Sequence, residues 1–248
     1  MSDVTRHGAY ICLSSSTHNV DVPALVERLG LRNEFDADAG PHTIAYLRRV
    51  GSSATDIEDD DLLRAHAIIH VASDTADRVT QFSSALEASR VLTGVVRPTN
   101  FTGNLMHNFA YANQVLQQPG TAMPNAFLVP MSKTAEWWQK DWMERHTYFL
   151  PRYDDSGRMR NEGHVLAAAA GIECLMRRTY KSASEPAPAG EYDFVNYFEC
   201  ADENVSTFRE VLAALRDIAR NPEWKFVREG PTWQGRRVAS WTELFVET

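Results

Sequence analysis

Several kinds of residue pattern are scarce or missing in this chain, and each shortage excludes something. Cysteine is scarce. Cys12, Cys174 and Cys200 are odd in number, far apart and without a CxxC pair. A disulfide framework and a zinc site are therefore not expected, and a reducing cytoplasm fits this usage. No run of ~18 apolar residues is present, so nothing is expected to span a membrane. The first residues, Met1 to Gly8, show no apolar core of a secretory signal. Positive charge is in deficit: Lys plus Arg is 25 against 33 Asp plus Glu, a net −8. A nucleic-acid surface needs a basic face, so none is expected. One or two local arginines could still hold a small anion. No Walker loop, GxSxG, HExxH or GxGxxG occurs.

What is present is the composition of a soluble globular chain: 248 residues, 44% hydrophobic and 23% charged. Apolar periodicity predicts strands over 8–13, 44–50, 62–71, 125–131, 172–181, 192–200 and 224–227. It predicts helices over 21–30, 74–92, 134–146, 158–170 and 204–219, the last through Val205, Phe208, Val211, Leu212, Leu215 and Ile218. Ser/Thr-rich residues follow the first strand. Residues 93–120 are irregular and rich in Asn, Gly and Pro, and 182–190 reads as a loop between two strands. The second half runs strand, helix, strand, strand, helix, strand, and the first half gives a degraded version of that order. The expected fold class is α+β, with two ferredoxin-like halves, 1–124 and 125–248, whose antiparallel sheets are covered by helices.

The residues that could carry chemistry lie between Arg158 and Lys181. His164 sits on the helix expected over 158–170, followed by Ala167 and Ala168, whose small side chains leave room for something flat. Thirteen residues on, Arg177 and Arg178 are adjacent in a strand, so their side chains point to opposite faces. An inward arginine presents a fixed charge and a planar fork suited to a small oxyanion. A histidine with an open position across a cofactor is what a proximal haem ligand requires. Residue types alone also allow a surface histidine, a solvated arginine pair at a strand edge, and tryptophans (Trp137, Trp138) that fill a core.

From about residue 125 onward the sequence resembles the chlorite dismutase family of haem proteins. The resemblance is carried by Ala135-Glu136-Trp137-Trp138 after Phe127-Leu128-Val129-Pro130, and by His164 with Arg177, Tyr180 and Ser182. It continues in Asp193-Phe194-Val195-Asn196-Tyr197-Phe198-Glu199, a helix with Phe208, and Val227-Arg228-Glu229-Gly230-Pro231-Thr232 closing on Gly235. Each segment is weak alone; the ordered set is specific. The N-terminal half matches loosely, through Asp61 to Ala67.

The resemblance implies a dimeric α+β barrel built of two ferredoxin-like halves, with haem b in the C-terminal one. It implies His164 as the proximal iron ligand, with the haem face on Ala167 and Ala168. Arg177 would be the distal arginine that separates chlorite-converting members from coprohaem decarboxylases. Trp137 and Trp138 would lie near the haem edge and a subunit interface. The implied activity converts chlorite to chloride and dioxygen by oxygen transfer to iron and recombination, in a homo-oligomer, a pentamer or a dimer. Two other readings stay open: a haem enzyme acting on an organic N–O substrate, as in aldoxime dehydratases, and a haem-binding protein.

The chain departs from the family pattern in three places. The stretch from Trp138 to His164 is longer by roughly a dozen residues, the loop 147–157 having no assigned role. It brings in His146 as a rival ligand. His164 is preferred, because its spacing to Arg177 needs no gap. The acidic partner of the proximal histidine falls at Asn221 by direct alignment, or at Glu223 with a shift. Arg228 stands where the family has a tryptophan.

Overall fold

The computed structural model describes residues 6–14, 20–36, 38–96 and 123–246. The Ser/Thr residues at 15–17 and the Asn- and Gly-rich stretch at 97–120 lie outside these. The first half contributes β1 (His7–Leu13), α1 (Val22–Arg28), β2 (Arg32–Asn33), β3 (Thr43–Ser53), α2 (Asp60–Arg64), β4 (Ala67–Ser73), α3 (Ala76–Ser84) and β5 (Arg90–Val96). The second contributes β6 (Asn125–Lys133), α4 (Ala135–Gln139), α5 (Trp142–Thr147), β7 (Arg152–Tyr153), β8 (Met159–Asn161) and α6 (Gly163–Ala167). It ends with β9 (Met176–Lys181), β10 (Phe194–Cys200), α7 (Val205–Arg216), β11 (Val227–Glu229) and β12 (Thr232–Val238).

The main strands pair in the order β10, β9, β5, β1, β4, β3, β12, β6, and β6 pairs again with β10. The sheet therefore closes into a barrel, which removes the exposed edges an open sheet would carry. The short strands β2 and β11 add to β3 and β6 outside the circuit. The fold is α+β, as the sequence predicts.

Alternation along each strand separates two environments. Tyr10, Cys12, Leu47, Ile68, Leu92, Leu128, Tyr180, Val195, Tyr197 and Trp233 pack inside the barrel. Trp233 donates its indole N–H to the carbonyl of Ala65 at 3.0 Å. Its ring crosses its own strand, so a Cβ on Gly235 would stand 2.3 Å from it. Outside, α1 and α3 cover the N-terminal strands through Leu25, Val79 and Phe82. On the C-terminal strands α7 lays Phe208, Val211, Leu212 and Leu215 over Phe127, Phe198 and Cys200. Burying each such side chain contributes about 1.5–3 kcal/mol.

Several expected elements are corrected. Residues 62–66 are not strand: Asp59 accepts the N–H of Leu62 at 3.0 Å and caps α2, and β4 starts at Ala67. The helix expected over 74–92 ends at Ser84, because Arg90–Val96 pairs with β1. The helix over 134–146 breaks at Lys140, whose backbone is extended, and restarts after Asp141, which caps α5. The helix expected over 158–170 starts late: Met159–Asn161 is the second strand of the β7–β8 hairpin, and only Gly163–Ala167, α6, and the 3-10 turn Ala169–Gly171 are helical. The last expected strand, 224–227, is largely a 3-10 turn, Pro222–Phe226. The barrel is closed instead by β12, which the periodicity missed.

The barrel interior also holds charge. Glu34, carried in by the turn after β2, pairs with the guanidinium of Arg178 and with His70 Nδ1 at 3.0 Å. His70 Nε2 meets the Tyr180 hydroxyl at 2.8 Å, and Arg178 Nε donates to the Tyr10 hydroxyl at 3.2 Å. Arg237 donates to Glu199 Oε2 at 3.1 Å. Burial opposes the charge on Glu34, but Arg178 and His70 outweigh it and hold its carboxyl well below the usual range. Burial, aided by Arg178, pushes His70 down to about 4. Burial raises Glu199 to about 7 against the pull of Arg237.

Replacing Arg178 by Leu strands the Glu34 carboxylate and is expected to cost about 3–5 kcal/mol in urea unfolding. A Glu34→Leu/Arg178→Leu pair is expected to recover most of that. An unfolded histidine titrates near 6.5. The neutral His70 therefore contributes stability that is complete above about pH 6.5 and lost as the pH falls towards about 4. His70→Gln should flatten the stability curve across that window.

Candidate haem site

The site grows from one turn of helix. Gly163 has φ +65°, and a Cβ there would lie 2.5 Å from the carbonyl oxygen of Leu150. Glycine is required by the backbone and by the close approach. That approach lets the N–H groups of His164 and Val165 donate to the carbonyls of Tyr148 and Phe149, at 3.2 and 3.1 Å. The first turn of α6 is thus anchored on the segment that follows α5, and His164 leaves it in a fixed direction.

The imidazole of His164 is held from one side. Nδ1 lies 2.8 Å from Glu223 Oε2, and the other Glu223 oxygen pairs with the ammonium of Lys133. The side chains of Glu223 and Lys133 are each 5% exposed, and that of His164 is 23% exposed. Burial works against the Glu223 charge, but Lys133 and then His164 outweigh it and hold the carboxyl far below the usual range. An ionised partner on Nδ1 fixes the tautomer and leaves Nε2 as the nitrogen with an available lone pair. Lys133 also lies 4.4 Å from the ring centroid of Trp137, which packs against Tyr148 and Phe226.

Strand alternation sends the two arginines apart, as expected. Arg178 opposes Tyr197 and enters the barrel; Arg177 opposes Phe198 and lies on the outer face that α7 partly covers. The same outer face carries Met131 on β6, Phe194 and Asn196 on β10, and Thr179 and Lys181 on β9. Met131, Phe194, Thr179 and Lys181 are all half-buried, because α7 stops short of that end. Trp138 borders this floor: its ring stacks on Phe194 at 6.4 Å, and its indole N–H donates to Asp193 at 3.3 Å.

His164, Trp137 and Lys133 form one wall, and Trp138 stands at the rim. Ala167 is buried in the layer under α7, with Ala168 at its margin. His146 sits on α5, edge-on to Trp142 at 5.5 Å and 6.3 Å from Phe149, whose ring in turn meets His164 at 5.4 Å. The two candidate histidines therefore flank one phenylalanine. Glu223, not Asn221, is the carboxylate on His164. Asn221 is fully buried and donates to the carbonyl of Leu215. Sequence reasoning missed Lys133 and Asp193 as site residues. A lysine at the end of a strand gives no signal that it will be buried against a glutamate 90 residues away.

The donor set suits haem: a histidine nitrogen with its partner nitrogen bonded to a carboxylate, beside a partly exposed floor that sets Met131 and Phe194 among Arg177, Thr179 and Lys181. Gly163→Ala is expected to cost roughly 2 kcal/mol or more through strain and the clash with Leu150. Lys133→Met, which leaves Glu223 buried without its cation, is expected to cost about 3–5 kcal/mol. Both are read by chemical denaturation, and an unchanged midpoint would contradict the geometry.

No family model matches the chain. It is 26% identical over 212 residues to the chlorite dismutase of Ideonella dechloratans, covering 80% of this chain and 65% of that protein. The match therefore spans just under two thirds of the relative's length. The fold is similar to the chlorite dismutase of Candidatus Nitrospira defluvii in complex with imidazole, with a TM-score of 0.66 at 18% identity over 98% and 94% of the two chains. It is also similar to the dimeric chlorite dismutase of Nitrobacter winogradskyi, with a TM-score of 0.57 at 18% identity over 78% and 99%. The chain therefore shares the closed α+β barrel fold of chlorite dismutases and is similar in sequence to one of them.

Proposed function

We propose that this chain is a haem b enzyme that converts chlorite to chloride and dioxygen. The observation that carries the reading is the chain Lys133, Glu223, His164, which presents one imidazole nitrogen beside the outer sheet face that also bears Arg177. Bound haem iron would supply the redox chemistry that takes oxygen from chlorite and joins the two oxygen atoms. The protein does the rest. Glu223 accepts a hydrogen bond from the Nδ1–H of His164 and leaves the Nε2 lone pair for iron, and Lys133 keeps Glu223 ionised. Arg177 supplies a fixed positive charge to hold a small oxyanion on the floor of the site. Trp137 lines the wall and Trp138 closes the rim with aromatic surface.

Three further features bear on the setting. All three cysteines are unpaired, which suits a cytoplasmic protein. Among the described residues no helix is long and apolar enough to cross a membrane. Trp142, Met143, Tyr153 and Met159 are all exposed on α5 and the β7–β8 hairpin, which suits a homo-oligomer.

The test begins with an optical spectrum after loading with haem b. His164→Ala is expected to lose the haem band or to need added imidazole, whereas His146→Ala keeps it. An oxygen electrode then reads chlorite turnover, which Arg177→Ala should lower by about 10²–10³-fold. Loss of the band in His146→Ala alone would move the ligand. Turnover of aldoximes with no oxygen from chlorite would replace the substrate, and haem binding without turnover of either would leave a carrier.

A further inference from the structure

The loop joining β9 to β10 leaves the sheet at Lys181 and returns at Phe194, its cross-strand partner. It therefore stands over the open end of the floor, where Met131, Phe194 and Lys181 are half-buried. Residues 183–186 and 188–191 are exposed, while Asp193 is 4% exposed. Its carboxylate gathers three N–H donors from three segments. Oδ1 accepts the N–H of Ala187, in the loop, at 2.7 Å. Oδ2 accepts the N–H of Lys133, at the end of β6, at 2.6 Å, and the indole N–H of Trp138, on α4, at 3.3 Å. The far side of the loop is tied to the other half of the barrel, by Arg90 to the carbonyl of Gly190 and by the Tyr192 hydroxyl to Asp59 at 3.0 Å. Behind it lies a cavity of about 610 Å³, walled by the loop, residues 57–61, Arg90 and Lys133.

We propose that residues 183–191 form a strap at the mouth of the site, and that Asp193 is the positioning residue that couples the strap to the Trp138 and Lys133 wall. One oxygen holds the strap and the other holds the wall, so the two move together. The cavity gives the strap somewhere to go when it lifts. The coupling itself needs no ligand; its use as a gate for haem rests on the functional reading above.

Asparagine separates the two halves of this device, because it has one acceptor oxygen and its NH₂ cannot receive an N–H. Asp193→Asn is expected to speed cleavage after Glu191 by a glutamate-specific protease at least tenfold, in the haem-free chain, with the product identified by mass. Ala187→Pro deletes only the donor of the strap and is expected to do the same. Tryptophan emission should shift in Asp193→Asn, and that shift should vanish in a Trp138→Phe background, which a merely general loosening would not do. If Asp193→Asn fails to fold, Ala187→Pro, which keeps the carboxylate, carries the test: it should open the strap and shift the same emission, and that shift should vanish in a Trp138→Phe background. In haem-loaded protein, Asp193→Asn should release haem to a scavenging globin about tenfold faster. Wild-type cleavage rates in both Asp193→Asn and Ala187→Pro, or an emission shift that survives removal of Trp138, would overturn the coupling. Faster cleavage with unchanged haem release would overturn the gate and leave the coupling. Failure to load any haem would instead overturn the functional reading, leaving the protease and emission results to decide the coupling.

Discussion

A guanidinium inside a β-barrel has to be paired, and the pairing of Arg178 orders much else. Its partner Glu34 comes from the N-terminal half, as do His70 and Tyr10, while Arg178 itself sits on β9 of the C-terminal half. The buried charge therefore joins the two halves at a point where a slip of register would be costly. A shift of β9 by one residue would turn Met176, Arg178 and Tyr180 out of the barrel together and carry the polar side of the strand inside. Holding Arg178 in thus holds Arg177 out. The direction of the candidate anion-binding arginine is a consequence of an ion pair on the opposite side of the sheet.

His164 is fixed by an arrangement of the same kind. A buried glutamate is tolerable only with compensation, and Glu223 has a lysine on one oxygen and an imidazole on the other. Lys133 sits at the end of β6, Glu223 on a 3-10 turn before β11, and His164 on α6, so the three approach from separate segments. Their convergence depends on β11 pairing with β6, which brings Val227 opposite Lys133. Without that short strand the 3-10 turn would lose its register with the lysine.

The parts of this structure that were legible in the sequence are those set by local periodicity. Alternation in 8–13 and 192–200, the apolar stripe of α7 and the opposed arginines of β9 all follow from side-chain direction alone. The strands that failed were those whose pairing is distant. Arg90–Val96 looks like the end of a helix until β1 and β9 claim it, and Thr232–Val238 carries Gly235, Arg236 and Arg237 where a simple strand pattern would show apolar residues. Arg237 makes sense only opposite Glu199, and Gly235 only under the Trp233 ring. In the site, the family pattern pointed to His164 and Arg177. The long reach of Lys133 and Asp193 was invisible, because each acts through partners 55 to 90 residues away.

The two halves share one order of elements, yet only one offers a site, and the difference lies in how far the helices reach. On the N-terminal strands α1 and α3 together leave Ile11, Ile69 and Val71 fully covered. On the C-terminal strands α7 covers the end at Phe127 and Phe198 and stops. The place that α1 fills in the first half is taken in the second by three short helices and a hairpin, α4 to α6 with β7 and β8. These stand to one side and present Trp137, Trp138 and His164. A sheet face left half-covered costs hydrophobic burial, and a fold keeps such a face where something else covers it. The segment between Trp138 and His164 therefore does more than connect two helices. Its end, at Tyr148 to Leu150, is the surface on which α6 is anchored, and Gly163 is the residue that lets the anchor close.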